Sequence, residues 1–217
     1  HEALGVDAAA VADTDTAALL RRQIARRCIY GIDVNPMAVE LARLAIWITT
    51  FVPGLPMSSL DHTLACANSL TGVGTLDEAL AVLDPNKDPN QISFLTEPIS
   101  ESLGQARELL IDVANASEAT KADVSRGLEL SEQARNASEP ARLLFDAVVA
   151  ARLGKLKPAN FPDVDSLLRA VGSADVQEAV AAIRPAHLPY LFPEVFLRPQ
   201  SGFDVILGNP PWDKLKV

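Results

Sequence analysis

Three short apolar runs decide what this chain can fold into, because each reads as a buried strand and each ends on polar residues. The first is Cys28-Ile29-Tyr30-Gly31-Ile32, stopped by Asp33, and the second is His62-Thr63-Leu64-Ala65-Cys66-Ala67, ending at Asn68-Ser69. The third, Phe203-Asp204-Val205-Ile206-Leu207-Gly208, runs straight into Asn209-Pro210-Pro211-Trp212. Apolar runs of this length suit strands buried on both faces, as in a parallel sheet covered by helices. After the first run, Asn35-Pro36 gives a capping side chain and then a proline at the first helical position, where its missing N–H costs nothing. Met37, Leu41, Leu44, Ala45 and Ile48 keep a helical period up to Phe51, and Pro53-Gly54 ends it. Strand, turn and helix make half of a βαβ unit, so the expected fold class is α/β.

Between the second and third runs the character changes. Asp84 to Asn90 reads as a loop, after which Ile99, Leu103, Ala106, Leu110 and Val113 form a helical stripe. A second helix is predicted over about Lys121 to Asn136. Ser138-Glu139-Pro140 then opens a third, with Leu143, Leu144, Val148 and Leu153, closed by Gly154. Two shorter helices follow near 163–171 and 174–184. Ahead of the first run, Thr16 caps a helix to about Arg27 with Leu19, Leu20 and Ile24 on one face, and residues 1–16 read as loose. The division expected is therefore 1–75, an α/β part; 76–200, an α-helical insertion; and 201–217, a return to the α/β part. Residues 97–153 should pack mainly on one another and project from the sheet.

Bulk properties narrow the function. The net charge of -9 repels a phosphate backbone, and neutralisation by Lys and Arg dominates DNA affinity. Any DNA-gripping surface of the parent protein is thus expected outside this chain. The two cysteines, Cys28 and Cys66, are too few for a disulfide framework and read as buried, reduced thiols of a cytoplasmic protein. No apolar run approaches the roughly 18 residues that span a bilayer, so no membrane is expected. His62 has no Cys, His or acidic cluster near it, so no metal site is expected. Arg21, Arg22, Arg26 and Arg27 read as a solvated helix face, with DNA contact as the alternative. Gly72-Val73-Gly74 lacks the full phosphate-loop pattern.

The polar residues at the ends of the runs carry the chemistry, since ligands of open α/β sheets bind at the carboxyl edge. Adenine N6 is a poor nucleophile because its lone pair is delocalised into the ring. A site that alkylates it needs acceptors aimed at the amino hydrogens, and Asn209 and the Pro210 carbonyl provide two. Pro210-Pro211 fixes the turn, and Trp212 offers a flat face for an extruded base. The alternative is a strand stopped by a Pro-Pro turn with Trp212 in the core. Asp33 suits both hydroxyls of a ribose, or else a helix cap. Asn68 suits the edge of an adenine, or else a turn.

In their order along the chain, these motifs resemble those of the gamma-class N6-adenine DNA methyltransferases. Ile29-Tyr30-Gly31-Ile32-Asp33-Val34-Asn35-Pro36-Met37-Ala38-Val39-Glu40-Leu41-Ala42 and Leu60-Asp61-His62 are similar to the methylase region of large type IIG, Eco57I-like restriction–modification enzymes. The resemblance implies a partial Rossmann-like methyltransferase sheet interrupted by a large helical insertion. It implies S-adenosylmethionine as cofactor, bound by Asp33, Val34, Asn68 and Ser69, and catalysis by Asn209, Pro210, Pro211 and Trp212. DNA is the implied substrate; RNA bases or protein amides, and an inactive helical module, are the alternatives. The family's glycine-rich loop and target-recognition domain have no counterpart here, and both chain ends read as cut. The family's central strand should lie between the Asp33 and Asn209 strands. The chain alone is therefore expected to pair those two directly, or to associate with a second copy through open strand edges, and to bind cofactor weakly or not at all.

Overall fold

The computed structural model describes residues 16–58, 60, 62–85, 93 and 95–208. Two of the three apolar runs become strands. β1 (Gly31–Asp33) and β2 (Leu64–Cys66) pair in parallel, with Gly31 opposite Leu64 and Asp33 opposite Cys66. α2 (Pro36–Thr49) connects them, following α1 (Thr16–Cys28). The Asn35 side chain accepts the Met37 N–H at 3.0 Å and Pro36 opens the helix, as the sequence dictates.

The stripe that α2 buries is a different one from that expected. Val39, Ala42 and Ile46 pack on Leu60 and Leu64, whereas Met37, Leu41, Leu44 and Ile48 are exposed. The helix is apolar nearly all round, so it carries two candidate stripes, and a sheet two strands wide covers only one of them.

The remaining described residues are mostly helical. α3 (Leu76–Leu83) is fixed by a reciprocal cap between Thr75 and Glu78. α4 (Thr96–Asn115) and α5 (Lys121–Arg152) form an antiparallel hairpin, with Ala106 and Leu110 against Ala134. Further along, Ile99 and Leu103 meet Leu144, Phe145 and Val148 in the main core, which Leu83, Leu167 and Val171 complete. α6 (Val164–Val171) and α7 (Ala174–Ile183) follow, then two single turns, α8 (Leu188–Leu191) and α9 (Pro193–Phe196). No helix of the described residues is long and apolar enough to cross a membrane.

Two predicted helices prove to be one. α5 passes through Pro140 without ending. Proline removes one ladder hydrogen bond and crowds the preceding turn, and hydroxyls bond the carbonyls on that side. Ser102 of α4 donates to the Ala137 carbonyl at 2.7 Å, and Ser138 donates to those of Ala134 and Arg135 at 3.0 Å. The hairpin contact on both sides of Pro140 keeps the helix going where local sequence signals a start.

Three further expectations are corrected. Phe203–Gly208 is not a strand: it has no ladder partner among the described residues, and Val205, Ile206 and Leu207 are 75%, 80% and 92% exposed. Direct pairing with β1 does not occur there, and backbone groups without a neighbouring strand stay with solvent. Cys28 and Cys66 are exposed free thiols, not buried ones. The basic face of α1 is not solvated throughout: Arg22 and Arg26 are each 3% exposed, while Leu20 and Ile24 face outward.

Those two arginines tie α1 to the connection between α4 and α5. Glu118 lies 3.0 Å from Arg22 and 3.2 Å from Arg26, and it accepts the Ser58 hydroxyl at 2.6 Å. Arg26 also donates to the Val113 and Ala116 carbonyls, and Arg27 to that of Ala114. Cations thus occupy the carboxyl end of α4, where the helix dipole is negative. Burial pulls both Arg22 and Arg26 below the usual arginine pKa, against the attraction of Glu118. The hairpin does not project freely, because its tip is held by α1.

Removing one partner of a buried ion cluster leaves the others desolvated without compensation. Glu118→Ala is expected to lower the unfolding free energy by about 3–5 kcal/mol in urea denaturation. A loss below about 1 kcal/mol, the range of exposed pairs, would show that the cluster is not what fixes the hairpin.

Candidate functional site

β1 and β2 end level with one another, so Asp33, Val34, Cys66, Asn68 and Ser69 come together at the carboxyl edge of the sheet. Asp33 is exposed, and its Oδ1 accepts the Asn35 N–H at 2.7 Å. Its other oxygen bonds no described residue. Asn68 is half-buried, and its Oδ1 accepts the Leu70 N–H at 3.1 Å, which leaves its amide nitrogen without a described partner. Each side chain therefore fills its local capping or turn role with one atom and leaves another without a described partner. Ser69 sits exposed in the turn, and the Val34 carbonyl lies 3.7 Å from the Cys66 thiol.

A strap from the far end of the helical region completes this edge. The Asn68 N–H donates to the Arg184 carbonyl at 2.7 Å, and the Ala186 N–H donates to the Asn68 carbonyl at 3.1 Å. Leu188 continues the contact by donating to Val73 at 2.9 Å. Gly72 is what permits the approach, since a Cβ there would stand 1.7 Å from the Ala186 carbonyl oxygen. The glycines at 72 and 74, which fail as a phosphate loop, include one whose use is close packing. The Arg184 guanidinium lies 3.9 Å from Cys66 Sγ. Nothing in the sequence points to Arg184, because only tertiary pairing carries the Ile183-Arg184-Pro185 helix stop to this edge.

His62 stays away from the edge, in the turn before β2. Behind the strap, Asp146 joins two helical elements: it is salt-bridged to Arg142 and lies 3.0 Å from His187 Nε2. No group of three or more His, Cys, Asp or Glu placed to hold a metal occurs among the described residues.

Asn209, Pro210, Pro211 and Trp212 lie outside the described residues. The segment leading to them is rooted beside the sheet. Phe203 packs on Tyr30 at 5.5 Å, on Phe192 at 5.7 Å and on Phe196 at 5.5 Å. Tyr30 immediately precedes β1, so the segment departs from the amino end of that strand. The Glu194 carboxyl is buried beside Tyr30, and neither of its oxygens has a well-formed hydrogen bond to a described residue. Burial pushes this carboxyl up to about 7. Burial, reinforced by Glu194, also raises the Tyr30 hydroxyl above its usual value.

The chain's similarities are to methylases of restriction–modification systems. The profile of the Eco57I restriction-modification methylase family matches residues 27–216, and the chain belongs to that family. A protein of Methanocaldococcus jannaschii named as a type II restriction enzyme and methyltransferase is 22% identical over 226 residues, covering 86% of this chain. The chain spans 18% of that relative's length. No solved structure matches.

The aromatic root gives a pH signature. Folding favours protonated Glu194, so its contribution to stability is complete below the ordinary value of 4.5, declines as pH rises, and is lost above about 7. Glu194→Gln, which mimics the protonated carboxyl, should match the native protein near pH 4 and exceed it by on the order of 3 kcal/mol near pH 8. Chemical denaturation at the two pH values checks this; a difference independent of pH would place the carboxyl in water.

Proposed function

We propose that this chain supplies the nucleoside-binding edge and the amine-contacting segment of an S-adenosylmethionine-dependent methyltransferase that modifies adenine N6 in DNA. The observation that carries the reading is the convergence of Asp33, Val34, Asn68 and Ser69 at one carboxyl edge in a chain of a restriction-modification methylase family. The donor set fits the cofactor's nucleoside end. A carboxylate oxygen free of local bonds accepts from ribose hydroxyls with charge-assisted strength, and the Asn68 amide nitrogen donates to an adenine ring nitrogen. When bound, S-adenosylmethionine supplies the methyl group as the electrophile.

At the target, the residues of this chain do the rest. The Asn209 side-chain oxygen and the Pro210 carbonyl accept the two amino hydrogens and draw the nitrogen lone pair out of conjugation. As positive charge grows on that nitrogen, both oxygens stabilise it without reorganising. Pro210-Pro211 holds them in place, and Trp212 stacks on the extruded base. DNA is the proposed partner, gripped by surfaces beyond this acidic chain.

In the intact protein, Asn209→Ala is expected to slow methyl transfer to an adenine-containing duplex on the order of 100-fold or more, with cofactor affinity little changed. Asp33→Ala should instead weaken cofactor binding in calorimetry. Near-normal transfer by the first variant would remove Asn209 from the chemistry, and unaltered affinity in the second would leave Asp33 as a helix cap.

A further inference from the structure

We propose that Arg184 binds the purine of the cofactor, so that the helical region between the second and third apolar runs forms one wall of the nucleoside pocket. The inference rests on the reading of this edge as a cofactor site and assigns it a residue from outside the sheet.

Position is the first argument. The backbone of Arg184-Pro185-Ala186 grips both the N–H and the C=O of Asn68, which locks the strap to the edge of the sheet. The guanidinium then lies 3.9 Å from the Cys66 thiol, which lies 3.7 Å from the Val34 carbonyl, so all three stand in a row at the ligand edge.

The second argument is charge. Of the two arginines that line the cavity at this edge, Arg142 is held by Glu139 and Asp146. Arg184 is exposed and pairs with no carboxylate among the described residues. Its backbone adds a third argument, because Arg184 is the one described non-glycine residue with positive φ, at 45°. A helix stop in this conformation ordinarily takes glycine, so the side chain at this position has a use beyond ending α7.

A cavity of about 170 Å³ opens beside the guanidinium, lined by Cys66, Ala67, Gln177, Arg184 and Pro185, with Asp146 and His187 at its helical side. His187 is 3% exposed; Asp146 holds its Nε2, and its Nδ1 has no hydrogen-bond partner among the described residues. The guanidinium borders this space. A guanidinium stacks on the face of a heterocycle and donates to ring nitrogens, and adenine offers both.

The test is calorimetric titration of the intact protein with adenosine and, separately, with S-adenosylhomocysteine, comparing native, Arg184→Gly, Arg184→Lys and Asp33→Ala forms. Glycine keeps the backbone grip on Asn68 and is relaxed at this φ, so Arg184→Gly should melt no lower than the native protein. It should bind both nucleosides about tenfold more weakly, while affinity for a DNA duplex stays the same. Lysine, which keeps the charge and loses the plane, should recover little. If Arg184→Gly binds nucleoside like the native protein while Asp33→Ala does not, the proposal falls and the cofactor site stands. A loss of DNA affinity alone would make Arg184 a phosphate contact and overturn the proposal. Absence of nucleoside binding by the native protein would overturn both readings.

Discussion

A buried carboxylate between two buried arginines is the interaction on which the arrangement of this molecule depends. Glu118 collects Arg22, Arg26 and Ser58 from α1 and from the chain beyond α2, and it does so at the turn of the α4–α5 hairpin. Charges this far from water are tolerable only when each faces a partner. The cluster therefore specifies one seating of the hairpin on the α/β part. With the tip held there, the length of α5 places Asp146 against His187 and fixes the position of the strap that grips Asn68. Hydrophobic packing supplies most of the stability through the core around Leu103, Phe145 and Val171. Ionic and backbone contacts decide which surfaces of that core meet the site.

The sequence disclosed whatever was written locally. Asn35-Pro36 marked the start of α2, and α6 and α7 fell where they were expected, α6 behind an Asp163 cap. Two apolar runs became β1 and β2, though each is shorter than the run that announced it. Features decided by distant partners were not legible. Arg22 and Arg26 looked like a solvated face because Glu118 lies so far along the chain. Pro140 looked like a helix start because the hydroxyl of Ser102, on another helix, is what helps carry α5 past it. Phe203–Gly208 has the composition of a buried strand, but a strand needs a neighbour, and no described strand pairs with it.

The candidate site divides in the same way. Asp33, Val34, Asn68 and Ser69 were legible because strand ends are local features and a parallel pair brings them level. Arg184 was not, since a helix stop says nothing about the surface it will reach. The insertion, which in sequence carries no recognisable chemistry, thus contributes to the geometry of the edge.

The contacts that finish this edge span most of the chain. Arg184 meets Cys66 across a separation of 118 residues, and Thr71 meets the Ile183 carbonyl across 112. During synthesis from the amino end, β1, α2 and β2 therefore emerge long before the strap that completes them. Until it arrives, Gly72 faces open space, the Asn68 backbone lacks its partners, and the sheet is two strands with an unfinished rim. Loop-closure entropy must be overcome before such distant contacts add stability. The candidate edge is accordingly completed late, although its residues are among the first to be made.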